Sequence, residues 1–309
     1  MADSHSDMHP RPTPPDELTV VWTRGKGCVE LAGLLAVDGE PARIGGDLVS
    51  ECIDRRADLL VSKKLPGDFE LVSVAVPVDF QPEKVTSVVA AVGGGPHSLL
   101  AATVAARLGS SLGVPAEMVS ALIPYDEALG PVEVLDRIGS SVPEISGRVV
   151  EVDGVERLVE GLDEGALVVL GAPGGSWLKR AMFGPGARLR RTAQAGAIVV
   201  RSAPDRVFRF MGEPVYVAPL REATDTLRFH AQNTLAVAED GRLIGLVRRA
   251  RLLDAGTAPV GSVMEAAVSV KVDGTIEEAW ELEPDFGEDP IPVTDHDEYL
   301  VGGLSLPVG

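Results

Sequence analysis

Cysteine is nearly absent: Cys28 and Cys52 are the only two in 309 residues, too few for a disulfide framework and without the spacing of a metal site. They read as reduced, structural thiols, with a redox pair as the other reading. Aromatic residues make up 4% of the chain, and there are five histidines. His5 and His9 fall near the N-terminus, and His97, His230 and His296 are isolated from one another in the pattern. The chain has no Walker-type Gly-Lys-Ser/Thr, no nucleophile elbow and no His/Cys metal motif. No metal is expected, because the acid cluster Asp285, Glu288 and Asp289 lacks the regular spacing of a calcium loop. Basic residues are in deficit, 28 Lys and Arg against 46 Asp and Glu, for a net charge of -18. That field repels nucleic acid and anionic lipid, which excludes DNA, RNA or membrane-surface binding as the main activity. No apolar run approaches the roughly 18 to 20 residues that span a bilayer. The first residues also lack the apolar core of a signal peptide, so the expectation is a cytoplasmic protein without membrane insertion.

What is present is enough apolar material, 45%, for at least one sizeable core and two ordinary domains. Low Lys with high Arg, Ala and Gly use hints at a GC-rich bacterial coding sequence. Residues 1–17 are rich in proline and poor in large apolar side chains, and are expected to be a disordered tail. Residues 18–84 read as an N-terminal extension, a small α/β segment with strands at 18–23, 58–62 and 70–78 around a helix at 47–56. Such a segment either adds strands to a neighbouring sheet or covers its edge.

From Val85 the pattern is regular. Strands are expected at 85–92, 117–123, 148–152, 166–170 and 197–201, with helices at 97–112, near 132–140, at 155–164 and at 187–195. Apolar strands alternating with helices predict a parallel sheet covered on both faces. In the helix over 97–112, Leu100, Val104, Leu108 and Leu112 form one buried stripe. Beyond Pro204 the chain repeats itself, 215–255 and 268–304, each in the order strand, helix, strand, turn, strand. Such a repeat predicts two pseudo-symmetric units that bury their faces against each other.

Between Gly171 and Pro204 there is no Asp or Glu, whereas Lys179, Arg180, Arg188, Arg190, Arg191 and Arg201 are all present. In an acidic chain this local inversion of sign marks an anion site. It coincides with a glycine-rich run after the apolar strand 166–170, containing Gly171, Gly174, Gly175, Gly184 and Gly186. Glycines let a backbone turn through positive φ and bring its N–H groups close to a phosphate. A second cluster, Gly93-Gly94-Gly95, follows the strand at 85–92. Both clusters are expected at the carboxyl ends of the strands, where such sheets bind ligands. The other reading of the glycines is tight strand-to-helix turns, with the arginines as a solvated face. His97, at a helix start beside Gly95 and Pro96, is read either as an ordinary N-terminal helix residue or as a ligand contact.

Gly171 and Gly174, nine intervening residues, then Gly184 match the Gly-x-x-Gly, nine residues, Gly-Ser/Thr pattern that follows the fourth strand in nucleotide-binding members of the universal stress protein family. Over about 85–204 the chain resembles that family, which implies a Rossmann-like, parallel-sheet α/β domain and a site for ATP or another adenine nucleotide. Gly93, Gly94, Gly171, Gly174, Gly175, Gly184 and Gly186 would cradle the phosphates, with Arg188 as partner. Two positions depart from the pattern: Pro185 stands where the family offers a hydroxyl, and Gly93 where its nucleotide binders carry Asp.

In the C-terminal region, Leu235-Ala-Val-Ala-Glu-Asp-Gly-Arg-Leu-Ile-Gly245 and Pro292 to Gly302 resemble the strands and Asp-Gly turn of tandem CBS domains, implying an α+β pair over 205–309. The Ser/Thr and Asp with which such domains hold a ribose are not both kept in either half. Arg248 and Arg251 replace them in the first, and Ser305 is followed by Val308 in the second. Residues 263–300 also hold twelve acids and one base, Lys271, which favours dimerisation or partner docking there. Together the resemblances imply a non-catalytic regulatory protein of stress adaptation that senses an adenine nucleotide and forms a homodimer. The alternatives are a ligand-free module docking a protein partner through its acidic surface, and a slow nucleotide hydrolase.

Overall fold

The structure is a computed structural model that describes residues 18–36, 40–65, 69–122, 130–151, 162–172 and 195–307. The expected tail at 1–17 lies outside them, as do the helix at 187–195 except Ala195, the helix at 155–164 except its last three residues, and the glycine loop beyond Ala172. Two compact units result, one spanning Glu17–Ala203 and one built on Pro204–Gly309.

The first unit carries β1 (Val20–Trp22), α1 (Cys28–Leu35), β2 (Ala42–Arg43), α2 (Leu48–Asp54), β3 (Leu59–Val61) and β4 (Ser73–Val78). These are followed by β5 (Ser87–Ala91), α3 (Ser98–Leu112), β6 (Ala116–Leu122), α4 (Pro131–Ser141), β7 (Ser146–Glu151), β8 (Ala166–Gly171) and β9 (Ala197–Arg201). All nine strands form one sheet in the order β2-β1-β3-β4-β9-β8-β5-β6-β7. Its central strands are apolar throughout because both faces are covered; Leu59, Leu60, Val61 and residues 166–170 are all buried. The edge strand β7 is mostly exposed, and Arg148 on it meets Glu117 of β6 at 2.8 Å.

The parallel sheet expected from Val85 onward is there: β5 to β9 pair in parallel throughout. In the whole nine-stranded sheet every pair is parallel except β4 with β9, which is antiparallel. The physical reason is an internal repeat that sequence periodicity did not show. Strands β1 to β4 form one parallel half-sheet and β5 to β9 another, and the two meet through their last strands. Equivalent hydrogen bonds recur in both halves. Cys28 N–H donates to Gly25 O at 3.3 Å where Ser98 N–H donates to Gly95 O at 3.0 Å, and Ser62 N–H donates to Ala75 O where Ala172 N–H donates to Val200 O. Ala75 and Val200 are themselves paired across the junction, both at 0% exposure. A pseudo-twofold axis therefore passes between them. α1 and α3 lie side by side, with Ser111 Oγ donating to Leu34 O at 2.7 Å, and the two halves share a single core through Leu31, Leu35, Ala101, Leu108, Ala75 and Val200. Residues 18–84 thus add strands to the sheet rather than cover its edge.

Pro77 sits inside β4 without breaking the sheet. β3 pairs with β4 only as far as Ala75, so the missing N–H of Pro77 faces no strand on that side.

The second unit begins with α5 (Val207–Phe210). Its first half is β10 (Tyr216–Val217), α6 (Ala223–Phe229), β11 (Thr234–Glu239), β12 (Arg242–Arg248) and α7 (Arg249–Ala255). Its second half is β13 (Val270–Lys271), α8 (Ile276–Trp280), α9 (Glu283–Phe286), β14 (Ile291–Thr294) and β15 (Leu300–Leu304). Each half forms a three-stranded sheet whose first pair is parallel and second antiparallel, and each has a bulge at the same place, Val237/Ala238 and Val293/Thr294. The halves exchange flanking segments. Ala223 N–H bonds Ala258 O while Ile276 N–H bonds Asp205 O, and Val260 N–H bonds Arg221 O while Val207 N–H bonds Gly274 O. Residues 258–263 therefore complete the first half, and 205–211, which precede it in the chain, complete the second.

Gly196 closes the β4–β9 junction at φ +93°, and a Cβ there would lie 2.5 Å from Asp79 O. Gly196→Ala is expected to lower stability by about 2 kcal/mol or more. Gly45→Ala, with open space around it, should shift the urea midpoint little, and comparison of the two midpoints checks the assignment.

Candidate functional site

Strand order in the second half-sheet reverses between β5 and β8: β6 and β7 extend to one side of β5, β8 and β9 to the other. A reversal leaves a crevice beyond the carboxyl ends of the two strands, because the connections leaving them depart to opposite faces. The structure brings Gly93 and Gly94 from β5 and Gly171 from β8 to this crevice. Gly94 turns at φ +74°, and a Cβ on it would come to 3.0 Å from Val134 Cγ2 of α4. Gly93 N–H is held by Ser98 Oγ at 3.3 Å. A Cβ on Gly171 would lie 2.9 Å from the Cβ of His97, so its lack of a side chain admits the histidine. Gly174, Gly175, Gly184, Gly186 and Arg188 lie outside the described residues.

His97 caps α3 from the preceding turn and crosses to β9. Its Nδ1 accepts the Ser202 N–H at 3.1 Å and lies 2.8 Å from Ser202 Oγ, which donates to Pro96 O at 2.9 Å. This network assigns the neutral ring's proton to Nε2. Burial, then the neighbouring Arg201 charge, push its pKa below the ordinary 6.5. His97 is thereby a tie between the β5–α3 loop and the end of β9. Sequence reasoning did not find Ser202 because it stands 105 residues away and belongs to no local motif.

In the C-terminal unit Arg248, Arg251 and Lys271 are engaged in ion pairs. Arg248 Nε reaches Glu265 at 3.2 Å and its Nη1 donates to Asp285 O, while Arg251 Nε lies 3.7 Å from Glu265. Lys271 Nζ is bound to Glu298 at 2.6 Å and to Asp295 O at 2.9 Å. Of the acid cluster, Asp289 has a structural task. At 9% exposure it accepts the N–H groups of Asn233 and Thr234, both at 2.8 Å, and so joins the two halves. Among the described residues no group of His, Cys, Asp or Glu could hold a metal ion, and no helix is long and apolar enough to cross a membrane.

No protein-family model matches the chain, and no curated protein matches it. Solved structures that it resembles include CBS-domain pair proteins. The cytosolic domain of the magnesium channel MgtE in complex with ATP is 26% identical with a TM-score of 0.30, covering 33% of this chain and 46% of that one. The chain thus spans under half of that domain. CBSX2 from Arabidopsis thaliana is 23% identical with a TM-score of 0.31, covering 33% and 89%. The CBS domains of a Streptococcus pneumoniae transcriptional regulator are 17% identical with a TM-score of 0.30, covering 32% and 92%.

Two outcomes check this geometry. A histidine with lowered pKa stabilises the fold fully above the unfolded-state value and loses that contribution as pH falls through its folded value. The sheet unit should therefore weaken on acidification from about pH 8 to pH 5, and His97→Ala should flatten the slope of urea midpoint against pH. Asp289→Ala leaves two amides without their acceptor and is expected to cost about 2 kcal/mol, read as a lowered urea midpoint.

Proposed function

We propose that the chain is a non-catalytic regulatory protein in which an adenine nucleotide or similar phosphate ligand binds at the β5/β8 crevice. The observation that carries this reading is the convergence of Gly93, Gly94 and Gly171 where the strand order reverses. β8 is the fourth of five parallel strands in its half-sheet, and Gly171 closes it, which supports the resemblance to a universal-stress-type domain. The phosphates would rest on backbone N–H groups of the 171–186 loop, with Arg188 supplying the charge that Pro185 and Gly93 leave out. Ligand binding acts as a signal only by favouring one arrangement of the protein over another, since equal affinity shifts nothing.

In this reading the C-terminal unit is a CBS-type pair used for homodimerisation or for docking a protein partner. The ion pairs of Arg248, Arg251 and Lys271 support that role, because they neutralise the charges that a phosphate would otherwise meet. Stress adaptation is the setting the reading implies.

Thermal shift with ATP, ADP and AMP, together with mass spectrometry of the supernatant after denaturing protein purified without added ligand, tests the proposal. Co-purified adenine nucleotide or a rise in melting temperature is expected, and Gly174→Val should abolish it. An empty protein with no shift overturns the nucleotide reading, and released ADP with turnover would replace sensing by hydrolysis.

A further inference from the structure

The sheet reverses its strand order at a second place. In the first half-sheet, β2 lies on one side of β1, and β3 and β4 on the other, so the carboxyl ends of β1 and β3 frame a crevice equivalent by the pseudo-twofold to that of β5 and β8. Here the surroundings are basic rather than glycine-rich. Arg24 and Lys26 stand on the loop between β1 and α1, and Lys63 and Lys64 on the segment leaving β3. In a chain of net charge -18, residues 18–29 and 59–67 contain no acid; Glu30 follows in the first turn of α1. All four cations are exposed, and none forms an ion pair among the described residues.

The two loops are in contact. A Cβ on Gly25 would lie 2.9 Å from Cys28 Sγ and 3.0 Å from Lys63 Cβ. Thr23 and Ser62, the first residues beyond β1 and β3, join hydroxyls at 3.3 Å, with Ser62 at 8% exposure. Ser62 occupies the place that Ala172 holds in the other half, so in sequence Lys63 and Lys64 correspond to Pro173 and Gly174. Four like charges held by touching loops repel one another, and the repulsion is relieved by an anion of matching charge.

We infer that this second crevice is a binding site for a small polyphosphate anion, held by Arg24, Lys26, Lys63 and Lys64 over the Thr23–Ser62 pair. A compact group of two or more phosphates matches four cations carried on touching loops better than a single carboxylate does. The site does not use the glycine loop; together with the site proposed above, each half-sheet would carry an anion site at its own switch point, one built of backbone and one of side chains.

Isothermal titration with inorganic pyrophosphate in the Gly174→Val background tests the site without the glycine loop. One equivalent should bind, with affinity falling as salt rises. Lys63→Gln/Lys64→Gln should weaken it at least tenfold, and Arg24→Gln/Lys26→Gln should do likewise. Gly25→Val, which keeps every charge but forces Cys28 and Lys63 apart, should also weaken binding, with circular dichroism checking that the fold is kept. No binding in this background overturns the inference. So does equal weakening by Arg55→Gln/Arg56→Gln at the end of α2, because affinity would then follow net charge alone. Pyrophosphate bound normally here, with no adenine nucleotide bound by the wild-type chain, would sink the nucleotide reading and leave this one standing.

Discussion

The antiparallel pairing of β4 with β9 is the contact on which the first unit depends. Each half-sheet by itself would leave its last strand as an open edge with unpaired backbone groups, which is costly in water and an invitation to aggregate. Joining the two through those strands satisfies both edges at once and places Ala75 and Val200 in the shared core. The same junction fixes the pseudo-twofold, and with it the existence of two crevices instead of one. The close approach of Gly196 to Asp79 at the end of the pairing is the local cost of bringing the two strands together.

The two halves of the sheet have diverged where their chemistry differs and stayed alike where packing constrains them. The turns that start α1 and α3 share a hydrogen bond pattern, yet one is Gly25-Lys26-Gly27 and the other Gly95-Pro96-His97. His97 and Ser202 tie the second turn to β9. At the equivalent place Gly27 packs against Pro77, its absent Cβ 3.4 Å from the ring. One crevice is flanked by a hydrogen-bonded histidine and glycines, whereas the other is flanked by basic residues. The C-terminal unit shows a similar division. Its halves keep matching hydrogen bonds and bulges, but the positions nearest the ends of β12 and β13 have turned into ion pairs.

Much of the regular structure between Val85 and Arg201 was legible from sequence, because apolar runs bounded by glycines leave few choices. The helix read over 97–112 runs from Ser98 to Leu112, and the strand read over 197–201 keeps those ends. Residues 18–79 were legible in part: the strands read at 18–23, 58–62 and 70–78 and the helix at 47–56 stand as β1, β3, β4 and α2, the helix capped by Asp47. α1 and the two-residue β2 were not read, α1 starting after Gly27 at φ +75° with no side-chain cap, so neither periodicity nor capping announced that these elements build a half-sheet. His97 was visible as a residue beside a ligand mouth, but its bond to Ser202 was not, because that contact exists only after β5 and β9 have been placed in one sheet.

The sequence by itself determined the alternation of strands and helices, the repeat beyond Pro204, the inversion of charge around the glycine loop and the scarcity of catalytic side chains. These are properties of local composition and spacing. It was left to the tertiary structure to decide that residues 18–84 form a second half of the same sheet, that the halves meet antiparallel, and that the loop carrying Arg24 and Lys26 touches the segment carrying Lys63 and Lys64. The reason is that strand order and pseudo-symmetry are fixed by which edges pair, and edge pairing depends on backbone groups that every residue but proline carries alike.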